Sequence, residues 1–395
     1  MTFDIKTLNQ IAEAGLATFA TPSFSLNKTS TPAGIIVRSH EIALSELTPT
    51  LSAISRAGVG VNNIPVADCT AQGIVVINTP GANANAVKEL VLASLLISVR
   101  PLIPGATWVQ SISGPDVAAQ VEAQKKQFSG TELEGKKLGV IGLGAIGAMI
   151  ANDAYRLGMD VLGFDPYVSV DTAWNISRRV KRASNLEEIL KTCDFITIHV
   201  PLTAETHGMI NEKELALLKD GAVLLNFSRG ELVDNPAIIS ALENQLLKEY
   251  ICDFPEAELI GVPGVTLLPH LGASTAEAEI NCAKVASRHL KDFLTTGNIQ
   301  QSVNFPTVNL SFYSPYRVSI AHKNVPNMLG AISSTAAELG LNIDNLINRS
   351  RQDLAYTLLD LTQATTDELA LLAEKLNALP DVIRLRVIKN QQGEI

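Results

Sequence analysis

The stretch that most restricts the fold is "GLGAIG", a G-x-G-x-x-G string. It follows the apolar run "KLGVI" and opens "AIGAMIANDAYRLG", whose apolar residues recur at helical spacing. Glycines in this pattern allow a tight turn and a close approach of the backbone to a pyrophosphate, which the free N–H groups of the helix N-terminus attract. We therefore predict a strand–loop–helix unit that binds a dinucleotide through Gly142, Gly144, Ala145, Ile146 and Gly147.

The same unit needs an acid at the end of the next strand, about twenty residues after the glycines. The run "VLGFDP" supplies Asp165. A carboxylate there accepts hydrogen bonds from a ribose diol and repels a 2′-phosphate, so the predicted cofactor is NAD rather than NADP.

Apolar strands and helical patterns alternate along most of the chain, which indicates parallel sheets covered by helices. The tail changes to the order βαββαβ, typical of a ferredoxin-like unit. The predicted fold class is α/β, with two doubly wound Rossmann-like domains, the first discontinuous, plus a C-terminal α+β ferredoxin-like domain. We predict a substrate-binding domain at 1–98 and 276–312, a cofactor domain at 99–275 and a third domain at 317–395.

Composition excludes several classes of protein. The 395 residues carry a net charge of −9, which argues against a nucleic-acid partner because phosphate backbones need clustered Lys and Arg. The four cysteines form no CxxC pair, so neither a disulfide framework nor a metal site is expected. Apolar runs are too short to cross a membrane and no signal peptide is recognisable, so we expect a cytoplasmic protein.

Three polar side chains follow three consecutive strands of the second series. Arg229 closes "AVLLNFSRG", an acidic turn "DFPEAEL" comes next, and His270 closes "VTLLPH". Because the carboxyl ends of neighbouring parallel strands meet at one crevice, these groups are expected to face one ligand. A guanidinium for a carboxylate and an imidazole for a proton suit the oxidation of a hydroxy acid.

Taken together, the motifs resemble the family of D-isomer-specific 2-hydroxyacid dehydrogenases. In that family the arginine binds the substrate carboxylate, the histidine carries the proton and a glutamate hydrogen-bonds the histidine. The resemblance thus implies catalytic roles for Arg229 and His270. Counting five residues from Asp253 identifies this glutamate as Glu258. If the turn is instead aligned on its phenylalanine and proline, the register shifts and Glu256 is the alternative. The motifs that carry the resemblance are "RAGVGVNNI", "NTPGANANAVKELV", "LGVIGLGAIG", "HVPLTAETHGMI", "LLNFSRGELVD" and "LPHLGAST".

The resemblance also implies further contacts. Additional cofactor contacts are expected from Pro201, Ser228, Asp253 and Gly272. Substrate contacts are expected from Arg38, Val59, Gly60, Asn62 and Asn83, with Arg38 placed to meet a phosphate.

The tail "VSIAHKNVPNMLGAISSTAAELGLNI" resembles an ACT domain, a module that binds amino acids where two copies pair. His322, Asn324 and Asn342 match the positions that hold L-serine in relatives, although Pro326-Asn327 replaces the usual Pro-Gly. The alternative is a tail that serves only in oligomerisation, and a homodimer or homotetramer is expected in either case.

With this tail, the resemblance implies NAD-dependent oxidation of 3-phosphoglycerate to 3-phosphohydroxypyruvate, the first step of serine synthesis. The alternatives are a dehydrogenase of another 2-hydroxy acid or of 2-oxoglutarate, and an NAD-sensing protein without catalysis.

Overall fold

The computed structural model describes residues 2–390, which form two compact units. One unit holds the chain up to Ala82 together with the chain from Glu279 onward, and the other is Asn83–Ala278. Each unit contains a parallel β-sheet with helices between its strands, which confirms the prediction drawn from the alternation of strands and helices.

The first unit starts with a five-stranded parallel sheet of order β2-β1-β3-β4-β5. Every residue of the central strand β3 is buried, as expected for a continuous apolar run covered on both faces. Its elements are β1 (Phe3–Leu8), α1 (Glu13–Leu16), β2 (Phe24–Leu26), β3 (Gly34–Val37), β4 (Ala53–Arg56), α2 (Val66–Ala71) and β5 (Val75–Ile77).

The second unit carries a seven-stranded parallel sheet of order β12-β11-β10-β9-β6-β7-β8. Its first six strands have the arrangement of dinucleotide-binding sheets, in which the strand order reverses between β6 and β9. The elements are α3 (Ala84–Val99), α4 (Leu102–Ser111), α5 (Val117–Gln124), β6 (Lys137–Ile141), α6 (Ala145–Arg156), β7 (Asp160–Phe164), α7 (Val170–Asn175), β8 (Lys181–Arg182), α8 (Leu186–Thr192), β9 (Phe195–Ile198), α9 (Glu212–Leu215), β10 (Ala222–Asn226), α10 (Asn235–Glu243), β11 (Leu247–Cys252) and β12 (Val265–Leu267).

Helix α3 belongs to the second unit, although the domain boundary predicted at residue 98 leaves it with the first. Its buried residues Val87, Val91 and Leu95 share a core with Leu138 and Val140 of β6. No single helix of residues 2–390 is long and apolar enough to cross a membrane, although α3 and α4, bent by 63°, pass that test as a pair.

The rest of the first unit is one long helix and a C-terminal α+β module, defined here as Tyr316–Lys389. The module has an antiparallel sheet of order β14-β15-β13-β16, and its element order matches the predicted βαββαβ. The elements are α11 (Ala276–Thr296), β13 (Tyr316–Lys323), α12 (Met328–Glu338), β14 (Ile343–Arg351), β15 (Leu354–Leu361), α13 (Thr366–Asn377) and β16 (Val382–Lys389).

Arginines on the sheet of the module hold it against the end of α11. Arg386 donates to the carbonyls of Phe293 (3.3 Å) and Leu294 (2.8 Å), which lie in the last turn of the helix. Its guanidinium also lies 4.6 Å from the ring centroid of Phe293. Burial lowers the pKa of Arg386 to about 10, so the side chain remains charged at neutral pH. Arg384 extends the contact through hydrogen bonds to the carbonyls of Pro49 and Leu51.

Candidate active site

The glycine loop joins β6 to α6 and has the backbone that its sequence requires. Gly142 has a φ of +88°, a conformation that favours glycine. A Cβ on Gly147 would lie 1.9 Å from the carbonyl oxygen of Gly142, so only glycine allows this close packing of loop and helix. A Cβ on Gly144 would meet nothing within 4 Å, which leaves open space at the N-cap of α6. Open space before the N-terminus of a twelve-residue helix suits a pyrophosphate.

Asp165 lies directly after β7 and is held against this loop. Its Oδ2 accepts a hydrogen bond from the N–H of Leu143 (2.9 Å), and its Oδ1 accepts one from the N–H of Tyr167 (2.8 Å). The carboxylate is therefore fixed beside the glycine turn, where the sequence analysis expects a ribose.

His199, at the end of β9, is a residue that the sequence analysis missed. Its backbone carbonyl lies 2.7 Å from where a Cβ on Gly142 would be, so the backbone of His199 packs directly against the glycine loop. Its Nε2 lies 2.8 Å from the hydroxyl of Thr197, and burial lowers the pKa of the ring to about 3. His199 is therefore neutral at physiological pH. The sequence signal that could have found it is the histidine at the start of "HVPLT". The strand pattern alone does not distinguish this histidine from an ordinary core residue.

Arg229 follows β10 on a loop that is fixed by three hydrogen bonds. Asn226 donates its Nδ2 to the Arg229 carbonyl (2.8 Å), and Ser228 donates its hydroxyl to the carbonyl of Ile198 on the neighbouring strand (2.8 Å). The Nη1 of Arg229 donates to the Ser228 carbonyl (2.6 Å). The arginine is half-buried, with its backbone held at the carboxyl ends of the strands.

Asp253, just past β11, organises the turn that carries His270. Its carbonyl accepts the N–H of His270 (3.1 Å) and its Oδ2 accepts the N–H of Gly272 (2.8 Å). His270 has a φ of +50°, a left-handed conformation that non-glycine residues adopt rarely and that often marks functional sites. The ring is exposed and packs edge-on against Phe254, with 5.1 Å between centroids.

The pKa of the Asp253 carboxyl depends on both residues predicted to be catalytic, Arg229 and His270. Burial raises the pKa of its carboxyl, whereas the N–H of Gly272 and the positive charges of His270 and Arg229 lower it. Arg229 and a protonated His270 would therefore both favour the ionised form of the Asp253 carboxyl. The Oδ1 of Asp253 is buried without a hydrogen-bond partner in the described chain. An orphaned acceptor of this kind is costly to leave unpaired and suits a bound donor such as a carboxamide.

The two candidate glutamates differ in their surroundings. Glu256 accepts a hydrogen bond from Nδ2 of Asn235 (2.9 Å), and its Oε1 lies 3.2 Å from where a Cβ on Gly230 would be. Glu258 lies on the short turn Ala257–Leu259 and is exposed, and its side chain makes no hydrogen bond or ion pair with residues 2–390. The carboxylate of Glu256 is thus already hydrogen-bonded to Asn235, whereas that of Glu258 has no hydrogen-bond partner among the described residues.

The predicted substrate residues lie mostly in the first unit. Arg38 follows β3, and its guanidinium contacts Glu279 at 2.6 Å. Val59, Gly60 and Asn62 form the turn after β4, where the Val59 carbonyl accepts a hydrogen bond from Nδ2 of Asn78 (2.7 Å). In the second unit, Asn83 precedes α3, and its side-chain oxygen is buried without a partner among residues 2–390. Pro201 is exposed just after β9.

Comparison with known proteins identifies the family of the chain. Residues 92–272 match the family model of the D-isomer specific 2-hydroxyacid dehydrogenase, NAD binding domain. The D-3-phosphoglycerate dehydrogenase of Haemophilus influenzae is 31% identical over 372 residues, which cover 90% of this chain and 86% of that protein. The chain belongs to the D-isomer-specific 2-hydroxyacid dehydrogenase family.

Two further similar proteins are also 3-phosphoglycerate dehydrogenases. The D-3-phosphoglycerate dehydrogenase of Methanocaldococcus jannaschii is 34% identical over 355 residues, which span 87% of this chain and 64% of that protein. Among solved structures, the NAD⁺-bound 3-phosphoglycerate dehydrogenase of Entamoeba histolytica matches with a TM-score of 0.59 and 25% identity, over 77% of this chain and 99% of its own. The resemblance inferred from the motifs is confirmed, as is the NAD-binding domain.

Proposed function

We propose that this dehydrogenase oxidises 3-phosphoglycerate to 3-phosphohydroxypyruvate with NAD⁺. The observation that carries the chemistry is the placement of Arg229 just after β10 and of His270 just after β12, on either side of Asp253 at the end of β11, whose carbonyl accepts the His270 N–H. The substrate is supported by the two D-3-phosphoglycerate dehydrogenases at 34% and 31% identity. Arg38 supplies a cation for the phosphate.

The cofactor pocket fits NAD in three respects. The open space at Gly144 would take the pyrophosphate, the carboxylate of Asp165 would take the ribose, and the unpaired Oδ1 of Asp253 would accept from the carboxamide. When bound, NAD⁺ supplies the acceptor for the hydride that leaves C2 of the substrate. Ser228, Pro201 and Gly272 complete the proposed contacts.

His270 and Arg229 divide the remaining chemistry. The neutral imidazole of His270 accepts the proton of the C2 hydroxyl, and in the reverse direction the imidazolium returns it to the carbonyl oxygen. The planar fork of Arg229 binds both oxygens of the substrate carboxylate and fixes its orientation. A glutamate beside His270 stabilises the imidazolium, and we assign this role to Glu258 because Glu256 is already bonded to Asn235.

Substitution of the two glutamates tests that assignment. We expect Glu258→Gln to lower kcat by about 10- to 100-fold, because the imidazolium loses its counter-charge while the size of the side chain is kept. Glu256→Gln should change kcat by less than about threefold, because an amide can still accept from Asn235. Steady-state rates with saturating NAD⁺ provide the measurement. The reverse order of effects would move the role to Glu256.

The substrate is tested by the appearance of NADH absorbance when 3-phosphoglycerate and NAD⁺ are added. We expect its kcat/KM to exceed that for 2-hydroxyglutarate by about 10-fold or more, since a phosphate offers Arg38 a charge of about −2 against −1 for a carboxylate. A preference for 2-hydroxyglutarate, or for 2-oxoglutarate in the reverse direction, would establish the alternative substrate. Binding of NADH without turnover of any of these acids would indicate an NAD-sensing protein.

The C-terminal module is proposed to be an ACT domain whose effector is L-serine, acting in a homodimer or homotetramer. Asn324 and Asn342 are exposed, and Asn327 has a φ of +65°, which asparagine tolerates where glycine is usual. His322 is buried, with its ring nitrogens 2.7 Å from the Lys323 carbonyl and 2.9 Å from the Thr357 hydroxyl. The two asparagines therefore carry the proposal more directly than His322. Adding L-serine to the same assay tests it.

A further inference from the structure

The guanidinium of Arg38 is already paired with an acid. Its Nη2 lies 2.6 Å from Oε1 of Glu279, and the two side chains are 41% and 42% exposed. Arg56, which ends β4, donates its Nε to the backbone carbonyl of Arg38 (3.0 Å). Arg38 is therefore held at two points, at its backbone carbonyl by the Arg56 side chain and at its guanidinium by the Glu279 carboxylate.

Charges of both signs meet at this place. Cys282 follows Glu279 by one turn of α11, and burial raises the pKa of its thiol. The positive charges of Arg38 and Arg56 lower that pKa, whereas the negative charge of Glu279 raises it. Arg38, Arg56 and Glu279 thus lie close to one another in the first unit, and the negative charge of Glu279 offsets part of the positive charge there.

We propose that Glu279 is a specificity-determining residue that restrains phosphate binding by competing for Arg38. The inference rests on the proposed function, in which Arg38 binds the substrate phosphate. A dianionic phosphate must draw the guanidinium away from the Glu279 carboxylate, and it is repelled by that carboxylate at short range. An unphosphorylated 2-oxo acid has no such group and gains nothing from the removal of the carboxylate.

Two other roles for Glu279 make different predictions. If the carboxylate served to orient Arg38, then a glutamine, which keeps an acceptor oxygen, would preserve phosphate binding, and an alanine would weaken it. If it served only the helix, as an acid near the N-terminus of α11, then substitution would lower thermal stability without affecting one substrate more than the other. Competition predicts that both substitutions improve phosphate binding.

The experiment compares Glu279→Gln and Glu279→Ala with the wild-type enzyme in the reduction of phosphohydroxypyruvate and hydroxypyruvate by NADH. We expect both variants to lower KM for phosphohydroxypyruvate by about two- to fivefold, the range of one exposed ion pair, with kcat unchanged. The kcat/KM for hydroxypyruvate should stay within about twofold. The gain should shrink in high salt, because exposed charges are screened.

Glu277→Gln is the matched control, since it removes the same charge from the same helix at an exposed position without an ion pair in the described chain. It should leave both substrates unaffected. An unchanged or raised KM for phosphohydroxypyruvate in Glu279→Gln overturns the competition proposal. Arg38→Ala keeps the two proposals separable: if it does not raise KM for phosphohydroxypyruvate, then the phosphate role of Arg38 itself fails, whatever Glu279 does.

Discussion

Replacing His270 with asparagine should reduce kcat by about 10²- to 10⁴-fold, the usual contribution of a general acid or base. Asparagine is the informative substitution because His270 has a φ of +50°, and asparagine tolerates that conformation better than alanine does. The N–H of residue 270 can then still bond the Asp253 carbonyl, so the turn survives while the titratable ring is lost.

Binding of NADH separates loss of the base from loss of the site. The affinity for NADH, followed by fluorescence, should change by less than about threefold, because the glycine loop and Asp165 are untouched. His207→Asn is a suitable control, since His207 is an exposed histidine of the same unit. Turnover within tenfold of the wild-type rate in His270→Asn would exclude His270 as the proton carrier.

Local patterns made the cofactor domain predictable. Gly147 of the 142–147 loop is required by a contact only five residues away in sequence, with the carbonyl of Gly142. Alternating strands and helices then imply a parallel sheet, and parallel strands bring Arg229 and His270 to the same edge. Each of these inferences depends on short-range sequence order, which a single chain displays.

Long-range pairings were not predictable in the same way. The bond of Arg386 to the Leu294 carbonyl joins residues 92 positions apart, and no periodicity in either segment signals it. Likewise, the ion pair of Arg38 with Glu279 depends on how α11 returns to the first sheet. The hydrogen bond from Asn235 to Glu256 also joins two different elements, 21 positions apart, and sequence spacing does not give it.

The buried ion pair between Arg317 and Asp360 should be the most sensitive point for stability in the first unit. Both side chains are fully buried, with contacts of 2.5 Å and 2.9 Å between them. Arg317 also donates to the carbonyls of Thr296 (2.9 Å), Leu310 (3.0 Å) and Ser311 (3.0 Å), and it stacks on Phe312 at 4.3 Å. One side chain thus ties the module to the end of α11 and to the segment that follows it.

Removing either partner leaves the other charge buried without compensation, which costs about 3–5 kcal/mol. We therefore expect Arg317→Met and Asp360→Leu each to lower the free energy of unfolding by about that amount in urea denaturation. The double variant should lose less than the sum of the two, because no isolated charge remains.

Lys323→Met, which removes one partner of the more exposed Lys323–Asp381 pair (3.4 Å), should cost less than about 1 kcal/mol. A single Arg317→Met variant as stable as the wild type would show that the pair does not fasten the module. The denaturation should be followed by fluorescence and by circular dichroism together, because noncoincident transitions would reveal that the module unfolds before the rest of its unit.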